Sequence, residues 1–307
     1  MQYDYASEVS HPSGCTQDHP SGEGRVRRIV HLSDLHFGRI SHSLVRPLVE
    51  AVNGLNPDLV VISGDYTQRA RHWQFEQASA FLERLVPPTL SVPGNHDTPL
   101  DNLFVRFLAP WQRYRRYISS DLEPVYYDEE IAVVGINTVN RFAWQQGHLP
   151  RRALARVSKL FASEKKRTCI AVMHHPLERP PDSDKTLMRG AARALHALAD
   201  SGADIVLSGH IHTAHVAPFT TRPGVLFVQA GTGLSDRLRG VGNSFNVLDV
   251  SEMGARLSNI SASDTGEFRM TVQKPFSRTA DGWRAAVASS LPAEEPAHPA
   301  NSLSAQA

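Results

Sequence analysis

Arg28-Ile29-Val30-His31-Leu32, followed at once by Ser33-Asp34-Leu35-His36, is the stretch that decides the fold. A short, mostly apolar run reads as a strand buried on both faces, the kind found in parallel sheets covered by helices. It ends in a carboxylate and an imidazole. The same grammar recurs four times. Asp58 to Ile62 leads to Gly64-Asp65, Thr89 to Val92 to Gly94-Asn95-His96-Asp97, Thr168 to Met173 to His174-His175-Pro176, and Asp204 to Leu207 to Gly209-His210-Ile211-His212. In an open α/β sheet the carboxyl ends of such strands share one crevice, so segments distant in sequence meet there.

The side chains delivered to that crevice are metal ligands. Asp34, His36, Asp65, Asn95, His174, His210 and His212 are seven candidate donors, enough for two divalent ions. Carboxylate, imidazole and amide oxygen without thiolate suit manganese or iron, with zinc also compatible. Asp65 can bridge two ions through its two oxygens. Ions about 3.5–4 Å apart would clamp the attacking and leaving oxygens of an in-line displacement at phosphorus. A water between them is acidified from a pKa of about 15.7 toward about 7, so the bridging hydroxide serves as nucleophile and the protein need not supply one. His96, beside Asn95, is the candidate to hold a phosphoryl oxygen or protonate the leaving group, and Asp97 the candidate to orient it.

Each motif alone is a weak signal, because an Asp after a strand is commonly a helix cap or turn residue. Their joint occurrence, each behind a strand, carries the reading. His31, His72, His148, His196 and His215 lie outside the motifs and read as ordinary core or surface residues.

In order and content the five motifs resemble the calcineurin-like metallophosphoesterase superfamily, over roughly Arg27 to Asp249. The resemblance implies a four-layer α/β/β/α sandwich with two mixed β-sheets. It implies one metal held by Asp34, His36, Asp65 and His212, and a second held by Asp65, Asn95, His174 and His210, with His175 a neighbour and His96 the catalytic histidine. Ser33-Asp34-Leu35-His36, Gly64-Asp65-Tyr66-Thr67, Pro93-Gly94-Asn95-His96-Asp97 and Met173-His174-His175-Pro176 look like bacterial class III cyclic-nucleotide phosphodiesterases. Gly147-His148-Leu149 and Asn243-Ser244-Phe245 resemble further elements of that branch. Tyr66 departs from its usual leucine, and Arg151 and Arg152 stand where its glutamine is expected.

What this branch implies is a dinuclear phosphodiesterase for a small-molecule phosphate ester, with nucleotides among the candidates. Phosphomonoesterase and nuclease are the alternatives within the superfamily. UDP-diacylglucosamine pyrophosphatases carry Arg at the position of His96. A non-catalytic scaffold of this fold would be expected to have lost ligands that are intact here. Dimers are common in the family, so a homodimer is a further expectation.

Composition sets the frame. The 307 residues are 41% apolar, enough for a substantial core, and a net charge of +1 gives no global attraction to nucleic acid or membranes. Cys15 and Cys169 form no disulfide framework, and the sequence has neither a secretion signal pattern nor a long apolar run. The expectation is a cytoplasmic protein. Residues 1–24, with the repeated His11-Pro12-Ser13-Gly14 and His19-Pro20-Ser21-Gly22, read as a disordered tail, as do the Ala-, Ser- and Pro-rich residues 286–307. Residues 25–285 form the catalytic domain.

Helical spacing predicts helices over Ser43 to Leu55, Ala70 to Leu85, Pro150 to Phe161 and Lys185 to Ser201. A hairpin is expected around Asp128-Glu129-Glu130, strands near 214–219, 225–229 and 245–250, and a last pair near 255–260 and 268–273 that extends the second sheet. Leu100 to Ile118 is dense in aromatic and basic residues. Its apolar members fall on one helical stripe and read as core, while its arginines and tyrosines are candidates for the pocket rim. An interfacial patch for lipid substrates is the third option.

Overall fold

The computed structural model describes residues 25–99, 101–164, 166–181, 183, 185–236 and 242–286. The expected tails, 1–24 and from 287 onward, lie outside the described residues. The apolar runs become strands as expected: β1 (Arg27–Leu32), β2 (Leu59–Ile62) and β3 (Thr89–Ser91) pair in parallel. So do β5 (Ile131–Ile136), β6 (Thr168–Met173), β7 (Ile205–His212) and β9 (Leu226–Gly231). Antiparallel partners make both sheets mixed: β4 (Val125–Tyr127) flanks β5, and β8 (His215–Pro218) flanks β9.

Between the sheets lies an apolar layer of alternate strand residues, among them Ile29, Val61, Val133, Val172, Leu207 and Val228. Their alternates, such as Val30, Leu32, Val60 and Ile62, face α1 (His42–Gly54) and α2 (His72–Leu82) on one outside. Val134, Ala171 and Val206 face α5 (Arg151–Ala162) and α6 (Ala191–Asp200) on the other. Both faces of the central parallel strands are therefore buried, which is why these strands carry near-continuous apolar sequence. The result is the expected four-layer sandwich with two mixed sheets. Among the described residues, no helix is long and apolar enough to cross a membrane.

Three expectations are corrected. The C-terminal hairpin, β11 (Gly254–Ala262) and β12 (Phe268–Thr279), joins the first sheet, whose order is β13-β12-β11-β10-β1-β2-β3. The cause is β10 (Ser244–Ser251), which crosses over and pairs antiparallel with β1, so the strands that follow extend that edge, ending in β13 (Gly282–Ala285). The helix expected from Lys185 begins only at Ala191, behind Gly190 in the left-handed region at φ 80°, while Arg189 instead bridges to His148.

The segment 101–118 does not form one stripe. It divides into α3 (Leu103–Leu108) and α4 (Gln112–Tyr117), because Pro110 cannot continue a helix from the preceding turn. Tyr114 is buried, and Trp111, Tyr117 and Ile118 pack against the core beside α2. Phe104 and Leu108, by contrast, are 74% and 67% exposed. Leu100 lies outside the described residues.

Candidate metal centre

The five motifs converge at the carboxyl ends of β1, β2, β3, β6 and β7. Five of the seven candidate ligands occupy the left-handed backbone region, Asp34 at φ 52°, His36 at 54°, Asp65 at 54°, His210 at 75° and His212 at 71°. Non-glycine residues adopt this region at a cost on the order of 1 kcal/mol or more each, and such residues concentrate at functional sites. Interlocking hydrogen bonds hold them there. The amides of Asp34 and His36 donate to the carbonyls of Gly64 and Asp65, both at 3.0 Å, and that of His210 donates to Asp34 Oδ2 at 2.8 Å. The loops approach so closely that a Cβ on Gly94 would lie 2.2 Å from Asp65 Oδ1, and one on Gly209 would lie 1.9 Å from Ser33 Oγ.

The side chains form two overlapping groups. In the first, Asp34 Oδ1 lies 3.1 Å from His212 Nε2 and 3.6 Å from His36 Nε2, and the two imidazole nitrogens are 3.1 Å apart. In the second, His174 Nε2 lies 3.3 Å from Asp65 Oδ2 and 3.1 Å from Asn95 Oδ1. The His210 ring stands 5.1 Å from that of His174. Asp65 joins the groups, its Oδ2 being 3.9 Å from His36 Nε2. His174 Nδ1 lies 2.8 Å from the carbonyl oxygen of Ser63, which can only accept. Nδ1 therefore carries a proton, and Nε2 is the nitrogen that faces the cluster. All seven residues could hold metal: their oxygen and nitrogen donors converge without thiolate, and the buried Oδ1 of Asp34 has no hydrogen bond to satisfy it.

Electrostatics separate the histidines. Burial lowers the affinity of His174 for a proton, but the adjacent Asp65 carboxylate outweighs it and lifts the pKa to about 9. His175, equally buried, is pushed down to about 3 by burial and by its neighbour His174. Burial likewise lowers His36, and lowers His210 well below the ordinary imidazole range. For Asp34 and Asp65 burial works to raise the pKa, yet the surrounding imidazoles hold both below the ordinary range.

His96 and Asp97 do not touch in the way the sequence suggests. His96 Nδ1 lies 2.8 Å from the Gln68 carbonyl, so Gln68, not Asp97, orients the ring. The His96 amide donates to Asp65 Oδ1 at 2.8 Å, which ties this histidine to the cluster. Asp97 turns away and accepts from the amides of Gly94 (2.9 Å), Thr67 (2.9 Å) and Tyr66 (3.2 Å) and from Thr67 Oγ1 (3.1 Å). It holds the loops after β2 and β3 together. Burial and the nearby Asp65 push its pKa up to about 7 against the pull of those donors.

A cavity of ≈ 110 Å³ opens onto the cluster, walled by candidate ligands together with His96, Gln68, Gln145 and Lys185. Sequence reasoning missed the last three. Gln68 stands just past the Gly64-Asp65 motif and could have been found there, whereas Gln145 and Lys185 sit in irregular segments without periodic or motif signal. The arginines of 101–118 do not wall the cavity. Arg106 is buried and donates to the carbonyls of Arg141 and Ala143, and Arg113 to that of Ala70. His31, His72, His148, His196 and His215 also lie outside its walls.

The family model for calcineurin-like phosphoesterases matches residues 27–214. A glycerophosphodiester phosphodiesterase, GpdQ, of Enterobacter lignolyticus is 30% identical over 143 residues, 39% of this chain and 51% of the relative. The match thus spans about half the length of that relative. A probable cyclic nucleotide phosphodiesterase of Vesicomyosocius okutanii is 23% identical over 205 residues, 61% of this chain and 78% of the relative. In structure, a dimetal phosphatase from Danio rerio superposes with a TM-score of 0.59 at 12% identity, covering 80% of this chain and 98% of that one, a likeness of fold. With more than half of its residues matched, the chain belongs to the calcineurin-like phosphoesterase family.

Proposed function

We propose that the protein hydrolyses phosphodiesters at a dinuclear metal centre. Asp34, His36, Asp65 and His212 hold one ion, and Asp65, Asn95, His174 and His210 the other. The observation that carries this reading is the convergence of seven donors around Asp65 with His96 hydrogen-bonded to the same carboxylate. The diester preference draws support from the two curated relatives, both named as phosphodiesterases. Manganese or iron suits the donor set best. A reducing cytoplasm suits the buried free thiol of Cys169.

Bound divalent ions supply positive charge at the phosphoryl oxygens and a water acidic enough to react near neutral pH. The protein's own groups do the rest. The Ser63 carbonyl fixes the tautomer of His174, and the Gln68 carbonyl fixes that of His96. With its proton on Nδ1, His96 presents Nε2 to the cavity. When protonated there, it donates to a phosphoryl oxygen or to the departing alkoxide. Asp97 acts at one remove, keeping the loops of Asp65 and Asn95 in register.

The test is hydrolysis of bis(p-nitrophenyl) phosphate beside p-nitrophenyl phosphate, on chelator-stripped protein reloaded separately with manganese, iron and zinc. Metal-dependent cleavage of the diester in excess of the monoester is expected. Preferential monoester cleavage would overturn the diesterase reading and leave a phosphatase.

A further inference from the structure

Strand β9 reads Leu226-Phe227-Val228-Gln229-Ala230-Gly231, and Gln229 is its one polar side chain. That side chain is fully buried. A buried amide is tolerated where its hydrogen bonds are made, and here each end of the group has a partner. Oε1 accepts from Ser208 Oγ at 3.0 Å, while Nε2 donates to the carbonyl of Gly209 and to that of Ala230, the latter at 3.2 Å. Both carbonyls can only accept, so the partners fix which way the amide points.

What this amide holds is a bulge. β7 and β9 pair in parallel at Ser208 with Gln229, and the next pair is His212 with Gly231, so Gly209, His210 and Ile211 stand opposite Ala230 alone. Such an interruption re-aims side chains and takes backbone groups out of the ladder. It lies in the stretch that carries His210 and His212, both in the left-handed region. The Gly209 peptide at its start is gripped on several sides. Its amide donates to the His174 carbonyl at 3.0 Å, its Cα lies against Ser33 and Asp34, and its carbonyl accepts from Gln229. Of these partners, Gln229 is the one that lies outside the five motifs. We propose that Gln229 is a positioning residue for the metal centre: by holding the Gly209 carbonyl it fixes the bulge that delivers His210 to one ion and His212 to the other. The proposal rests on the reading of the seven donors as a dinuclear centre, and it adds that one amide from β9 governs a ligand of each ion.

The experiment titrates chelator-stripped full chain with manganese against a chromophoric chelator, in wild type, Gln229→Met, Ser208→Ala and Val228→Ala. Gln229→Met keeps the length of the side chain and removes the amide, so affinity for both ions should fall roughly ten- to a hundredfold. Ser208→Ala frees the amide oxygen and should give a smaller loss in the same direction. Val228→Ala trims the apolar layer one residue away, and should lower the melting temperature while leaving metal affinity unchanged. Equal weakening in Val228→Ala would overturn the proposal, since general loosening of β9 would then suffice. Hydrogen exchange of chelated protein reads the same bulge without metal. Measured against the amides of β6, those of Gly209 and His210 should exchange about tenfold faster in Gln229→Met and at the wild-type ratio in Val228→Ala. If wild type binds no metal, the dinuclear reading fails, and the exchange ratio alone decides for or against Gln229. Unchanged affinity and unchanged exchange in Gln229→Met, or in Ser208→Ala should Gln229→Met fail to fold, would overturn the proposal.

Discussion

The floor of the crevice and its rim are built on opposite terms. On the floor, five candidate ligands, all but His212 buried, sit in left-handed backbone conformations on loops cross-linked by main-chain hydrogen bonds. Around the rim beside Gln145, Phe142 and Trp144 stand 72% and 66% exposed on an irregular segment, and Phe104 and Leu108 stand 74% and 67% exposed on the short α3 that Arg106 ties to it. The contrast teaches where strain can be stored. A costly conformation persists only where the surroundings over-determine it, and the sandwich does so at the ends of its central strands. The rim segments rest on fewer anchors. Chief among these is Arg106, whose guanidinium donates to Thr98 Oγ1 and to two carbonyls of 141–143.

The largest expected effect breaks the floor. Asp65→Ala should lose bound metal and on the order of a thousandfold in diester turnover, since the shared carboxylate and the acceptor for the His96 amide vanish together. Retained metal with retained rate would remove Asp65 from the centre. His96→Ala is expected to cost roughly a hundred- to a thousandfold in kcat while metal content, measured by elemental analysis, stays near normal. Collapse of metal content would reassign His96 to the ligands.

Asp97→Ala tests stability. It strands the buried amides of Gly94, Tyr66 and Thr67, at about 1–3 kcal/mol per unsatisfied group, so a denaturant titration should show a loss of roughly 3 kcal/mol or more. A near-neutral result would mean that Asp97 does not fasten these loops.

Proton linkage gives a smaller signal. In chelated protein His174 is raised from its ordinary 6.5 to about 9, a change that comes from pairing with Asp65. The stabilisation from this pair is fully present below about pH 6.5 and is lost as pH rises through about 9. The melting temperature of chelated protein should therefore decline across that window, and His174→Gln should flatten the decline. Metal reverses the sign, because ligation needs the neutral imidazole. A chelated wild-type protein that gains stability over the window would contradict the pairing.

The least effect belongs to the rim. Phe104→Ser and Phe142→Ser should each change stability by no more than about 0.5 kcal/mol, as exposed substitutions do. A loss several times larger would make the rim part of the core after all.

Much of this protein is legible without coordinates. The apolar runs before Asp34, Asp65, Asn95, His174 and His210 reveal buried strands because burial on both faces leaves its mark in consecutive residues. The ligand types reveal the chemistry because donor identity belongs to each side chain. Contacts between segments are not written locally. Only the tertiary structure decides that Gln68 rather than Asp97 orients His96, that the C-terminal hairpin joins the sheet of β1, and that Lys185 reaches the cavity wall. Neighbouring residues such as His174 and His175 carry the same side chain and are both buried, and what separates them is a carboxylate from the loop after β2 on one and a hydroxyl from the loop after β5 on the other. The sequence by itself therefore determined the buried strands and the candidate donors that follow them, and tertiary packing determined which of these meets which neighbour, since that depends on distances across the fold that no local pattern encodes.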